Sequence, residues 1–270
     1  MFKTTIKKYC PPQILRLLYK IYKLLIYRTK PKHTNPMLNS KSLGGVVAYN
    51  KFGGYFLPLQ SIHRPASQAT LRGIVWESET IDYLVKNCEG GDIIHAGTYF
   101  GDFLPALSQA CDENNFIWAF EPNQENYRCA EITCLINKLD NVNLYNAGLG
   151  ALNSSALINT LDSEGKSMGG SSKIIDKDSS IDSIHTEEIK MVSLDTIIPQ
   201  ERNISILQLD IEGYEKEALM GAMDILKRCH PTLLLENPLP DSSWLEQNIL
   251  SLGYQFIKEV QGNSILKKLS

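Results

Sequence analysis

The sequence predicts an α/β protein built on a mostly parallel, nucleotide-binding sheet, and three observations predict it. The first is Asp92–Glu121, DIIHAGTYFGDFLPALSQACDENNFIWAFE, which reads as strand, glycine turn, helix, strand and terminal acid. The second is Ile204–Glu236, where an apolar run ends on Asp210-Ile211-Glu212-Gly213, a helical pattern follows, and Thr232–Leu235 leads into Glu236-Asn237-Pro238. The third is that four strand ends so read carry an acid or a glycine turn: Gly97 with Gly101, Glu121, Asp210 with Glu212, and Glu236. In an open α/β sheet ligands bind beyond the carboxyl ends of the strands, so these residues share the edge where chemistry belongs.

A chain of 270 residues holds one sizeable α/β core with additions. Residues 1–32 are basic and amphipathic. Ile14, Leu15, Leu18, Ile21, Tyr22, Leu25 and Ile26 share a helical face, and Arg16, Lys20 and Lys23 make the opposite stripe. Pro11 and Pro12 suit the helix start. The interrupting charges and the lack of a small-residue cleavage site argue against a signal peptide or a spanning helix. Such a helix either lies on an anionic bilayer or packs on protein, and the wheel supports both. Residues 33–76, rich in Pro and Gly, read as a linker followed by a lid-like hairpin, where His63 and Arg64 could contact an acceptor, although surface loop positions are the weightier reading. Residues 77–270 form the main domain.

Within that domain, residues 77–87 read as a helix leading through Glu89-Gly90-Gly91 into the first strand at Asp92–His95. Phe103, Leu104, Leu107 and Cys111 mark the next helix by their spacing, and Phe116–Phe120 the second strand. A helix over Asn123–Asn137 and a third strand over Val142–Ala147 follow. Residues 151–185, rich in Ser, Gly and Asp, read as a long mobile insertion without an ordered core. One helix is expected from Tyr214 to Arg228, stopped by His230-Pro231, and another near Ser242–Leu252, before two closing strands.

Charge is unevenly distributed. No Asp or Glu precedes Glu77, whereas that stretch holds 13 of the 27 Lys and Arg; the remainder carries 14 against 30 acids. The N-terminal part therefore suits an anionic partner, while the acidic remainder disfavours nucleic acid, which needs a basic groove near the site. The six cysteines show no CxxC and no metal-ligand spacing, which points to buried free thiols in the cytoplasm.

The glycine turn HAGTYFG decides among cofactors. It lacks G-x-G-x-x-G, and Tyr99 stands where a pyrophosphate would need a small residue, so an NAD-dependent sugar enzyme is the weaker reading. Glu121, 20 residues after Gly101, can accept hydrogen bonds from both hydroxyls of a ribose. A cofactor with a ribose, an amino-acid tail and no phosphate fits, and S-adenosylmethionine has that shape.

HAGTYFG, AFEPN, NAGLG, SLDTI and LQLDIEGYEKEALMGA, in that order, resemble the FkbM family of S-adenosylmethionine-dependent methyltransferases over roughly residues 77–267. The resemblance implies the class I methyltransferase sheet of seven strands with the last antiparallel, and O-methylation, often of sugars in glycans. It implies that Gly97 and Gly101 line the methionine part of the cofactor and Glu121 holds the ribose, with His95, Thr98 and Pro122 beside them. Asp210 and Glu212 would border the transfer site, one of them as general base, with His63 and His185 as outsiders. Glu236, Asn237, Tyr214 and His63 would hold a saccharide or another hydroxylated acceptor. The chain departs from the family twice: His95 stands where an acid usually ends the first strand, and Gln208 where Lys is common. A neutral His95 can still accept one hydrogen bond from the cofactor's ammonium, or it is a core histidine satisfied by backbone. A binding protein that has lost catalysis is the alternative these departures raise. No metal is required by the spacing, although Asp210 with Glu236 could take Mg²⁺.

Overall fold

The two apolar runs that the sequence places at the centre become adjacent parallel strands. The computed structural model describes residues 43–175, 186–237, 239 and 241–268, and Leu43–Ser270 forms one compact unit. Residues 1–32 and His185 lie outside the described residues. A hairpin comes first, β1 (Gly45–Asn50) and β2 (Gly53–Pro58), followed by α1 (Pro65–Leu71) and α2 (Ser78–Asn87). Then come β3 (Asp92–Ala96), α3 (Leu104–Ala110), β4 (Ile117–Phe120), α4 (Gln124–Asn137) and β5 (Val142–Tyr145). An inserted region holds β6 (Gly148–Leu149), β7 (Ser154–Asn159), β8 (Lys173–Ile175) and β9 (Thr186–Val192), and the short helix α5 (Leu194–Ile197) follows it. The chain returns through β10 (Ile204–Leu209), α6 (Glu215–Met220), α7 (Met223–Cys229) and β11 (Thr232–Glu236). It ends on α8 (Ser242–Asn248), β12 (Tyr254–Val260) and β13 (Asn263–Lys268).

The main sheet has the order β12-β13-β11-β10-β3-β4-β5. β11, β10, β3, β4 and β5 pair in parallel, and β13 runs antiparallel between β11 and β12. This is the class I methyltransferase order, and the seven strands with an antiparallel last one are as the resemblance implies.

Central strands are covered on both faces, so their side chains divide by the two-residue period. Ile94, Ala96, Leu207, Leu209, Leu233 and Leu235 enter one core; Ile93, Ile206 and Leu234 enter the other, under α2 and α3. The period also puts His95 on the face of Ile93 and Gln208 on the face of Ile206. Asp92 anchors the opposite end of β3. Fully buried, it accepts from Phe116 N at 2.8 Å, Trp118 Nε1 at 2.8 Å and Arg202 Nε at 2.7 Å, and it forms an ion pair with Arg202 Nη2.

Four expectations are corrected here. Residues 151–175 are ordered, and β6, β7, β8 and β9 make a second sheet of order β6-β9-β7-β8. Its own core is Ala156, Ile158, Ile189 and Met191, two alternating apolar pairs set among Ser and Asn in β7 and Glu and Lys in β9. The helix expected over Tyr214–Arg228 is two, α6 and α7. Between them the carbonyl of Gly221 accepts from Asp195 N and Ser193 Oγ, and the Asp195 carboxylate, on α5, caps α7 through Asp224 N and Ile225 N, both at 3.0 Å. The expected third strand over Val142–Ala147 stops at Tyr145. The helix near Ser242–Leu252 is α8 plus a 3₁₀ turn over Leu250–Leu252.

The hairpin is fastened to α4. Phe56 N donates to Thr133 Oγ1 at 3.0 Å, Gly54 N to Asn137 Oδ1 at 3.0 Å, and Asn137 Nδ2 returns a bond to Gly54 O at 2.6 Å. This seats the segment before α2 beside the carboxyl ends of the sheet.

Candidate active site

At the carboxyl end of β3 the chain turns through Gly97 at φ +86°, where a Cβ would lie 1.8 Å from the carbonyl oxygen of Asp210. The ends of β3 and β10 therefore touch through main chain, and only glycine permits it. Tyr99 follows at φ +50°, which aims its N–H at Glu121 Oε2, 2.7 Å away. Asn123 N donates to Glu121 Oε1 at 2.9 Å, while its side chain caps α4. Burial pushes the Glu121 carboxyl up to about 8, against the pull of the Asn123 and Tyr99 amides and the Asn126 side chain. Oε1 also accepts from Asn126 Nδ2 at 3.5 Å, so the second acceptor site left for a ligand is on Oε2.

Two clefts meet at this turn. The narrower, about 440 Å³, is walled by Phe120, Pro122, Ala147, Leu149, Ile158 and Ile174, with Glu121 at its side. The wider, about 840 Å³, contains His95, Tyr99, Phe103, Gln208 and five carboxylates: Glu77, Asp102, Asp210, Glu212 and Glu236. Gly97, Gly170 and Asp210 line both. Three residues of the wider cleft, Glu77, Tyr99 and Glu212, are non-glycines held at φ +47° to +58°. Each costs about 1–3 kcal/mol, strain of the kind that concentrates at functional sites.

The carboxylates are not equivalent. Burial, and then the charge of Glu236, hold Asp210 well above the ordinary carboxylate range; burial also raises Glu236, and the two carboxyls share a hydrogen bond. A close carboxyl pair retains one proton between its members where isolated acids would have lost both. Glu212 instead faces a cation, Lys173 Nζ at 3.5 Å.

His95 and Gln208 prove to be one feature. They stand opposite each other on β3 and β10, and His95 Nδ1 is hydrogen-bonded to Gln208 Oε1. Because an amide oxygen only accepts, Nδ1 carries the proton and Nε2 the lone pair. His95 is 2% exposed, stacks on Phe103 with centroids 5.2 Å apart, and its Nε2 has no partner among the described residues. Burial lowers the imidazole to about 4, so the ring is neutral. The backbone-satisfied core histidine is thus corrected: a side chain holds one nitrogen, and the other is buried without a partner among the described residues, in the wall of the wider cleft.

The site also includes residues for which a surface or mobile loop was the weightier expectation. Arg64, expected on the surface, lines the wider cleft and donates from Nη2 to Ser171 Oγ at 2.7 Å. The Met168–Ser172 run, expected to be mobile, packs on Tyr99: a Cβ at Gly169 would sit 2.8 Å from the Tyr99 hydroxyl oxygen. Its glycines serve close approach. Tyr99 Oη in turn bonds Ser61 Oγ at 2.6 Å and Ser67 Oγ at 3.1 Å, which ties α1 to the glycine turn.

Other candidates fall outside the clefts. Thr98 is buried with Oγ1 on His95 O at 3.4 Å. Gly101 backs onto α4, its φ of +85° and the nearness of Ala130 and Thr133 explaining the glycine. Asn237 accepts from Ser264 Oγ at 2.8 Å, Tyr214 packs on the core of the second sheet, and His63 is exposed. Among the described residues no group of three metal-ligating side chains occurs, and no helix is long and apolar enough to cross a membrane.

The family model described as methyltransferase FkbM domain matches residues 95–256, more than half of the chain. No curated protein matches it. Among solved structures, a methyltransferase FkbM from Methylobacillus flagellatus KT is 18% identical with a TM-score of 0.46, over 66% of this chain and 43% of that one. The chain thus spans less than half the length of that protein. A SAM-dependent methyltransferase from Aquifex aeolicus is 13% identical with a TM-score of 0.42, over 78% and 96%. M. jannaschii TYW2 in complex with AdoMet is 10% identical with a TM-score of 0.42, over 85% and 89%.

Proposed function

Since the chain belongs to the methyltransferase FkbM domain family, we propose that it methylates a hydroxyl of a saccharide, as free sugar, glycan or lipid-linked form, using S-adenosylmethionine. The observation that carries this reading is the pair of clefts joined at Gly97 and Asp210. The narrow cleft has apolar walls for a flat base and, in Glu121, an acceptor for ribose hydroxyls. The wide cleft is carboxylate-rich, as suits a cationic sulfonium and ammonium. The residues fit the cofactor.

When bound, S-adenosylmethionine supplies an electrophilic methyl group, and the chain supplies alignment and a proton acceptor. Glu121 holds the ribose, with Pro122 and Phe120 beside the base. His95 Nε2 accepts one hydrogen bond from the ammonium, in place of an acid. A sugar hydroxyl is a poor nucleophile near neutral pH and needs a base within about 3 Å. Of the two candidates Asp210 suits the task better, because its environment raises its proton affinity whereas Glu212 is engaged by Lys173. In its ionised form the Asp210–Glu236 pair takes the hydroxyl proton as the oxygen attacks. Glu212 accepts a second hydroxyl of the acceptor and orients it.

Calorimetric titration with S-adenosylhomocysteine, beside a Glu121→Ala variant, tests the reading. Native protein should bind and the variant should lose about tenfold or more, the worth of one or two charge-assisted hydrogen bonds. Absence of binding to the native chain would sink the methyltransferase reading and favour a protein that keeps the fold alone.

A further inference from the structure

Arg64 stands apart from everything else in the wide cleft. The cleft's other charged residues are Glu77, Asp102, Asp210, Glu212 and Glu236, all carboxylates. Yet among the described residues Arg64 forms no ion pair. Its hydrogen bond goes to a neutral hydroxyl, Ser171 Oγ, and uses one of five donors. Pro65 opens α1 directly after it, and Tyr99 Oη bonds Ser61 and Ser67 on either side of it in sequence. The guanidinium is therefore held at the cleft wall by a fixed segment. It also precedes residues 95–256, where the family model matches.

A planar fork with free donors, beside acids it does not pair with, is arranged for an anion that arrives with the ligand. We infer that Arg64 is a carboxylate-binding residue of the wide cleft, receiving an acid group that the bound ligands bring. Two ligands could bring it. The tail of S-adenosylmethionine carries a carboxylate beside its ammonium, so that the arginine would receive the negative group of a ligand whose positive groups face the acids. An acidic sugar as acceptor would bring the same group. The inference rests on the methyltransferase reading.

The test is calorimetry on the full chain, native and Arg64→Gln, in two arms. The first compares S-adenosylhomocysteine with its decarboxylated analogue, which keeps the amine. The second compares glucuronate with glucose, added to protein saturated with S-adenosylhomocysteine. If the cofactor brings the carboxylate, Arg64→Gln weakens S-adenosylhomocysteine by about 10- to 100-fold, the range of hydrogen bonds to charged groups, and leaves the decarboxylated analogue unchanged. If the acceptor brings it, only glucuronate weakens. A native-like Arg64→Gln in both arms overturns the inference, as does equal loss of the acid and its neutral counterpart. Ser171→Ala removes the internal bond but keeps the guanidinium, and should bind as native does. If it reproduces the Arg64→Gln loss, the arginine merely holds the 169–171 turn and the inference fails. Native protein that binds S-adenosylhomocysteine while Arg64→Gln matches it in both arms refutes the arginine's role alone; native protein that binds none of the four probes refutes the methyltransferase reading as well.

Discussion

At the scale of single residues, the chemistry depends on protons held away from their usual places. Glu236 raises the proton affinity of Asp210 by charge and by hydrogen bond, so a base at Asp210 should reveal itself in the pH dependence of turnover. The rate should rise with pH through a limb above the ordinary carboxylate range, as the pair becomes able to accept the substrate proton. In Glu236→Gln the anionic neighbour is gone, Asp210 loses its proton more readily, and the limb should move to lower pH. A limb that stays in place in this variant would exclude Asp210 as the titrating base. His95 makes a second prediction. Its Nδ1 proton satisfies Gln208, so His95→Asp alone would set the new carboxylate against Gln208 Oε1, two acceptors facing each other in a buried place. Either the introduced carboxyl takes up a proton or the Gln208 amide turns round. Adding Gln208→Lys supplies the missing donors and charge. S-adenosylhomocysteine affinity should fall in the single variant and recover in the double one; two independent losses would mean that the pair is not coupled.

Elements show which features were legible in the sequence and which were not. β3, β4, β10 and β11 could be read because buried parallel strands are short apolar runs closed by turn residues, and Glu121, Asp210 and Glu236 could be read because they end those runs. The split of α6 from α7 could not. It depends on Asp195, 29 residues before Asp224, whose carboxylate supplies a cap that no local pattern announces. Nor could the bond from Arg64 to Ser171 or the close approach of Gly169 to Tyr99, since a contact that crosses from one loop to another leaves no period behind. The second sheet was missed because its four core residues are diluted by polar ones on the exposed face. Asp195→Ala should therefore cost about 1 kcal/mol as a lost cap, and up to about 2 kcal/mol where both bonds count. Urea unfolding measures it. Asp92→Asn should cost more, about 3–5 kcal/mol, because it leaves the Arg202 guanidinium without its counter-charge at the buried end of β3. Comparable losses in the two variants would contradict the ranking.

For the whole molecule, a site assembled from buried acids should make stability itself depend on pH. Glu121 is 4% exposed, and burial raises its folded value to about 8, far above the usual value of an unfolded Glu near 4.3. Between those values the folded state holds a proton that the unfolded state has released. The slope of stability with pH is then negative: the contribution is complete below the unfolded value and is lost as pH rises toward 8. His95 acts in the opposite sense, since its folded value near 4 lies below the unfolded 6.5, but its effect is confined to pH below about 6.5. From 6.5 to 8, therefore, the Glu121 effect is free of it, and Asp102, also raised to about 8, adds to it. Cys88, lowered to about 7 first by its hydrogen bond to Cys111, opposes them above that pH, so a comparison is needed to isolate the acid. Native protein without cofactor should melt at a lower temperature at pH 8 than at pH 6.5. In Glu121→Gln, which cannot titrate, that difference should shrink. Saturating S-adenosylhomocysteine should restore more stability at pH 8, because ribose hydroxyls donate to the ionised carboxylate. Melting curves at the two pH values, with and without the ligand, decide the matter: a Glu121→Gln slope equal to the native one would mean that Glu121 is already ionised in the empty site.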